Sequence, residues 1–382
     1  FFLMSVITLL SLAVIPFIFR LEEIKRTVLD PLSLIFVGFL FFALISMVAS
    51  INIIESFVKV GQLIAFYLSL FIILLIAKER LVKINFILWL FVITLLIDLV
   101  ASLSGYYEMY MYDVKYSYEY INNMLGLFGN RNILSVGIIF RIPFLILLAI
   151  RLNKKYFYIL AFFITAVSFV DIFLLSSRTA YLAIILCLGY FLLIFIYRLI
   201  KSKTKLAYLN SGMLLLFILP LITSYFTSTS LIDNDTSANI NTRVASIANI
   251  QNQSNNRRLL FYRHAIDNLK QNPLFGCGIG NWRILSIKYD SLNMENYVVP
   301  YNAHNDILEA ATETGIFGGM MFILFFVLIF YLIFKGINLN TQNLYDYNYM
   351  IFFPMPFIIY FTDLNLNFPT YRPFNQYLLL LF

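Results

Sequence analysis

The chain has 382 residues, 61% of them hydrophobic and only 12% charged, with a mean hydropathy of +0.84 and a formal charge of +7. A typical globular chain is about 45–50% apolar and about 25% charged, so soluble multidomain, disordered, collagen-like and coiled-coil chains are excluded. Two cysteines make no disulfide framework, and the composition is that of a multi-span helical membrane protein.

Apolar stretches long enough to cross a bilayer core, about 20 residues, are predicted in chain order at 1–19, 31–51, 57–77, 84–105, 131–150, 156–175, 179–197, 206–226, 315–334 and 348–362. An eleventh starts near Phe374. The dyad alternation of a transmembrane β-strand is absent. The expected fold is all-α and polytopic, with about 10–12 transmembrane helices. The chain opens without an initiating Met and closes in an apolar run, so spans are expected to be missing at both ends.

The charge is not spread evenly. Arg20, Lys25 and Arg26 follow the first span, and Lys78, Arg80 and Lys83 the third. Arg151, Lys154 and Lys155 follow the fifth, Arg198, Lys201, Lys203 and Lys205 the seventh, and Lys335 the ninth. Together these are fourteen of the 27 Lys and Arg. Basic short loops face the cytoplasm, so the net charge reads as an orientation signal and a nucleic-acid partner is not expected. The alternate segments then face outward: 106–130, the turn at Ser177, and the long segment 227–314. The predicted organisation is eight spans over 1–226, a large outer loop over 227–314 whose second half is helical, and C-terminal spans over 315–382.

The informative residues are polar groups gathered on that outer side. In Asn256-Arg257-Arg258-Leu-Leu-Phe-Tyr262-Arg263-His264-Ala265, helical spacing puts Arg258, Tyr262, Ala265 and Leu269 on one face. Arginine captures phosphate oxygens in bidentate fashion and stays charged. The bland alternative is an interfacial helix whose arginines meet lipid headgroups, with Arg263 paired to Asp267. Pro273 ends that helix, and Gly276-Cys-Gly-Ile-Gly280 comes next. With a helix and a proline before it rather than a strand, this is not a dinucleotide loop; the glycines permit a tight turn.

His304-Asn305, followed by Glu313 and Gly315, lies just before the ninth span. Its imidazole can exchange protons near neutral pH; a loop histidine capping a helix is the alternative. Ser177-Arg178 sits at the outer ends of spans six and seven, with Asp171 deeper, and Gly129-Asn130-Arg131-Asn132 opens span five. A snorkelling arginine and a helix cap are the alternatives for these two. Lys59 and Arg141 fall inside spans and should face the bundle interior. No metal site is expected: the His-Glu-x-x-His spacing is absent and the ligand set is poor.

In order and spacing these residues resemble the O-antigen ligase and O-antigen polymerase superfamily of bacterial membrane glycosyltransferases. The likeness rests on Ser177-Arg178, Arg258 with Tyr262 and Ala265, Asn272-Pro273-Leu-Phe-Gly276-x-Gly278-x-Gly280-Asn281, and His304-Asn305 with Glu313-x-Gly315. It covers roughly 125–382, and Asn367-Phe-Pro369-x-x-Arg372-Pro373 is similar to the segment after the tenth span in some members. Tyr262 stands where Trp is frequent.

The resemblance implies a GT-C type fold in the bacterial inner membrane with the large loop in the periplasm. It implies a metal-independent, inverting transferase with no cofactor. Such an enzyme moves a glycan from an undecaprenyl-diphosphate carrier to an acceptor hydroxyl. O-antigen ligase, with lipid A-core as acceptor, comes first; a polysaccharide polymerase, whose acceptor is the growing chain, or a protein O-oligosaccharyltransferase are the alternatives. A lipid-linked sugar transporter or flippase, using Lys59, Asp98, Arg141 and Asp171 as a path, is the reading from another class.

By the same resemblance Arg178 and Arg258 clamp the diphosphate and His304 is the base. Arg257, Tyr262, Asn305, Glu313, Arg131 and Asn132 are further substrate-binding candidates.

Overall fold

A computed structural model describes residues 2–112, 120–201, 214–232, 239–248, 253–290, 301–337 and 344–381. Lys203, Lys205, the start of the 206–226 stretch and residues 113–119 of the outer segment 106–130 lie outside these. Among the described residues the ordered elements are helices and there are no strands. Eight helices are long and apolar enough to span a membrane, and two shorter apolar ones cover 8–18 and 215–231. The chain is an all-α polytopic membrane protein.

It divides into two compact units, 1–82 with 251–332 and 364–382, and 83–250 with 333–363. In the first unit, α1 (Phe2–Ile18), α2 (Leu21–Val28), α3 (Pro31–Ser46) and α4 (Ile53–Lys78) come in succession. Polar caps set the starts of α3 and α4: the Asp30 carboxylate accepts from Leu32 N–H and the Asn52 side chain from Ile54 N–H, both at 3.0 Å. Such caps satisfy the first free amides of a helix.

In the second unit, α5 (Ile84–Met111), α6 (Arg131–Leu152), α7 (Lys155–Leu174) and α8 (Arg178–Lys201) are spans, followed by α9 (Leu219–Leu231) and α10 (Ile240–Ala248). Every residue of α6 from Ile133 to Ile150 is buried. A helix apolar on all sides belongs in the core, and α5, α7 and α8 pack around this one. The polar residues within it are matched. Arg141 forms an ion pair with Asp98 of α5, and its Nε donates to Gly137 O at 2.7 Å. Nearby, Ser102 donates to Asp171 at 2.8 Å. Arg141 and Lys59 are both buried, as their place inside spans requires. A charge pair closed on itself in this way is a poor translocation path.

Further along are α11 (Gln253–Gln271), α12 (Trp282–Asp290), α13 (Asp306–Lys335), α14 (Leu344–Phe352), α15 (Met355–Leu366) and α16 (Pro373–Leu381). Two spans differ from the sequence expectation. The ninth begins at Asp306, and Gly315 interrupts it with φ +78° and ψ 179°. A Cβ on Gly315 would lie 2.2 Å from Leu274 O, so only glycine admits that close approach. The stretch predicted as one span at 348–362 lies within the candidate span Asp346–Leu366, which is made of two short helices, α14 and α15.

Candidate functional site

The glycine segment after α11 is the base on which the first unit's polar residues are arranged. Gly276, Gly278 and Gly280 all have positive φ, so the chain turns tightly between neighbours. Cys277 N–H donates to Thr312 O at 2.9 Å, and Ile279 N–H to Ser46 Oγ at 3.1 Å. Asn281 accepts from Asn52 N–H at 2.7 Å and donates to Ser56 Oγ at 2.8 Å. Glu313, buried in α13, accepts from Trp282 N–H at 2.9 Å. That bond commits Glu313 to holding the loop against α13.

Above this base lies a group around His304. On α11, Arg258 is half-buried while Arg257 and Arg263 are exposed, so of the paired arginines it is Arg258 that faces inward. Asp267 pairs with Lys270 at 3.9 Å rather than with Arg263, which corrects that expectation. The Tyr262 hydroxyl lies 3.1 Å from His304 O and 3.0 Å from Asn365 O, and its one proton is shared between those carbonyls. Asn305 caps α13, accepting from Leu308 N–H at 3.0 Å. His304 itself has φ +57°, a region that costs a non-glycine residue energy and persists only when its surroundings impose it. Its ring lies parallel to Phe261 at 6.4 Å and edge-on to Phe368 at 5.5 Å.

Burial, and next the Arg258 charge, push the imidazole down to about 4, against a smaller opposing pull from a hydrogen bond to the Leu366 backbone. The ring is therefore neutral at neutral pH, and its Nδ1 is buried with no hydrogen bond among the described residues. A neutral imidazole with a spare lone pair can accept a proton. Burial likewise raises the Tyr262 phenol, which stays protonated and able to donate.

The second unit holds the other arginines. Asn130 caps α6, accepting from Asn132 N–H at 2.9 Å and Ile133 N–H at 3.3 Å, so Arg131 is the first residue of that helix. Ser177 sits before α8 and accepts from Ala180 N–H at 3.4 Å, so Arg178 is the first residue there. Ser177 Oγ also donates to Asn132 Oδ1 at 3.0 Å, which brings the two helix starts side by side. A helix N-terminus already carries about half a positive charge. Arginines there oppose the dipole, an arrangement adverse for stability and suited to an anion.

Beside these ends lies an apolar cavity of about 650 Å³, with Phe173, Tyr181, Ile184, Leu221, Tyr225 and Val244 in its walls. Arg131 and Arg243 of α10 both act electrostatically at Tyr181. Arg243 has no motif to mark it in a Ser- and Asn-rich stretch, and sequence reasoning passes over it.

Of the nine candidates, Arg258, Tyr262, His304, Asn305, Glu313 and exposed Arg257 thus belong to the first unit. Arg131, Asn132 and Arg178 belong to the second.

The eight apolar spans define a polytopic membrane protein, and a partly buried neutral histidine and arginines at paired helix starts are its notable polar features. The family model described as O-antigen ligase matches residues 160–323, a segment holding Arg178, Arg258, His304 and Glu313. That match makes residues 160–323 similar to the O-antigen ligase family and supports a role in glycan transfer of the ligase or polymerase type. No curated protein gives a match.

Proposed function

We propose that this protein is an O-antigen ligase of the bacterial inner membrane. In this reading it transfers a glycan from an undecaprenyl-diphosphate carrier to a hydroxyl of lipid A-core at the periplasmic face. The observation that carries the reading is the pair of arginine-headed helix starts, α6 and α8, joined through Ser177 and Asn132 and adjoining an apolar cavity. A lipid carrying a diphosphate has those two parts, an anion for the helix ends and an apolar tail for the cavity. The outward orientation rests on the basic loops of the opposite side.

As the anomeric C–O bond breaks, negative charge grows on the diphosphate, and fixed cations and helix dipoles stabilise it. Arg178 and Arg131 serve that role, and Arg243 adds to the field. The attacking hydroxyl loses its proton to His304 Nδ1, and in-line attack inverts the anomeric centre. Tyr262 and Asn305 hold the histidine segment in place. Burial first and the Arg258 charge second keep His304 neutral and ready to accept that proton.

The test is transfer by purified protein supplied with carrier-linked glycan and lipid A-core. Wild type forms the joined product and Arg178→Ala does not, while both remain monodisperse. No joined product from wild type would overturn the reading, and full transfer by Arg178→Ala would overturn the role given to the paired helix starts. Product formed only when the acceptor is a second carrier-linked glycan would instead mark a polymerase.

A further inference from the structure

A second cavity, of about 280 Å³, opens within the first unit. Its walls include Lys59, Gln62, Arg283, Tyr301, Asn302 and Arg372, and Glu55, Phe368 and Tyr371 contribute too. That volume is at the small end of ligand pockets, matched to one sugar residue rather than a long chain. Its mixture suits a saccharide: Tyr301 is 65% exposed and presents a flat apolar face to pyranose C–H groups. Gln62 and Asn302 offer both donors and acceptors to hydroxyls.

The charges in the wall do not cancel. Glu55 is engaged in an ion pair with Arg283. Lys59 is only 9% exposed, and its ammonium lies 3.2 Å from the centre of the Tyr371 ring. The Arg372 guanidinium lies 5.2 Å from the Phe368 ring. Among the described residues neither cation has a carboxylate within ion-pair distance. Glu313, Glu309 and Asp306 act on Lys59 through space without lining the cavity, and Glu309 and Glu313 also accept from backbone, Glu309 from Ala303 N–H at 2.6 Å and Glu313 from Trp282 N–H. A counter-charge acts most strongly at ion-pair distance, and an anionic ligand in the cavity would supply one to Lys59 and Arg372.

The cavity also adjoins the proposed base. Phe368 is in its wall and meets the His304 ring at 5.5 Å, and Asn302 lies two residues before His304.

We propose that this cavity is an acceptor subsite that takes an acidic sugar residue, its carboxylate or phosphate held between Lys59 and Arg372. This rests on the transferase reading, since an acceptor beside His304 has meaning only if His304 serves the attacking hydroxyl.

The test is binding of small saccharides to the full chain in detergent, followed by saturation-transfer NMR. The probes are methyl glucuronide, glucose 6-phosphate and methyl glucoside, with inorganic diphosphate as competitor. At least one acidic sugar is expected to bind about tenfold or more tightly than methyl glucoside, and the stronger of the two identifies carboxylate or phosphate. Arg372→Gln, at a half-exposed position, should remove that preference and leave methyl glucoside unchanged. Lys59→Met should do the same where it yields monodisperse protein.

Equal binding of acidic and neutral sugars, or an undiminished preference in Arg372→Gln, would overturn the proposal. So would displacement by diphosphate at lower concentration than either acidic sugar, which would make this a carrier site. Transfer measured beside binding separates the two readings. Lost transfer with intact sugar binding in Arg258→Ala supports both, whereas a wild type that prefers the acidic sugar but forms no joined product overturns only the transferase reading.

Discussion

Two of the three arginines of helix α6, Arg131 and Arg141, stand ten residues apart, roughly 15 Å along its axis, and they occupy opposite electrostatic situations. Arg141 is fully buried mid-helix and closed into an ion pair with Asp98. Arg131 heads the helix and adds a cation to an end that is already positive. A buried cation matched by its own carboxylate serves the fold. A cation placed against a dipole, next to Arg178 placed likewise, is what the proposed diphosphate clamp requires. Charge in this membrane protein is thus sorted by geometry into structure and chemistry, and the comparison can be broken experimentally.

The largest effect is expected at the helix starts. Arg178→Ala should lower transfer by a factor of about 10³, the scale of removing one fixed stabiliser of developing charge, with an unchanged melting temperature.

Arg141→Ala should show the reverse, a stability loss of about 3–5 kcal/mol from stranding Asp98, read as a lowered denaturation midpoint in detergent. Replacing both partners by apolar residues should restore most of it. A stable Arg141→Ala protein without activity would erase the distinction.

A smaller effect concerns His304. Neutralising Arg258 as Gln removes the second cause of its lowered affinity for protons, so its titration should move up from about 4 while staying below the ordinary 6.5, since burial, the larger cause, remains. With two histidines in the chain, selectively labelled NMR can follow this shift. The sign for stability is fixed by the same depression: the unfolded chain binds the extra proton between 6.5 and 4. This contribution is therefore complete above about 6.5 and declines as pH falls through that window. The smallest expected change is Ser177→Ala, about 1 kcal/mol from its hydrogen bonds and a several-fold rise in KM for the carrier.

Much of the architecture is legible in the sequence because it is local. The span at 84–105 is α5, Ile84–Met111, and that at 131–150 is α6, Arg131–Leu152; apolar length defines both, and the Asn130 cap sets the start of α6. Ser177-Arg178 stands out by motif. The illegible part depends on residues far apart in the chain. Lys59 meets Tyr371, and the glycine segment is fastened to Ser46 and Asn52, only through folding. The break at Gly315 escapes sequence reasoning because a glycine inside an apolar run does not announce whether its φ is positive. Spacing to Tyr262 and Ala265 favours Arg258 over Arg257 in the sequence, and on α11 Arg258 is half-buried while Arg257 is exposed.

The most direct measurement is retention of polyprenyl diphosphate by the detergent-purified protein, read by native mass spectrometry. Wild type and the apolar double replacement of Asp98 and Arg141 should keep the lipid, and the Arg131→Ala, Arg178→Ala double variant should lose it. Equal retention by that last variant would contradict the account.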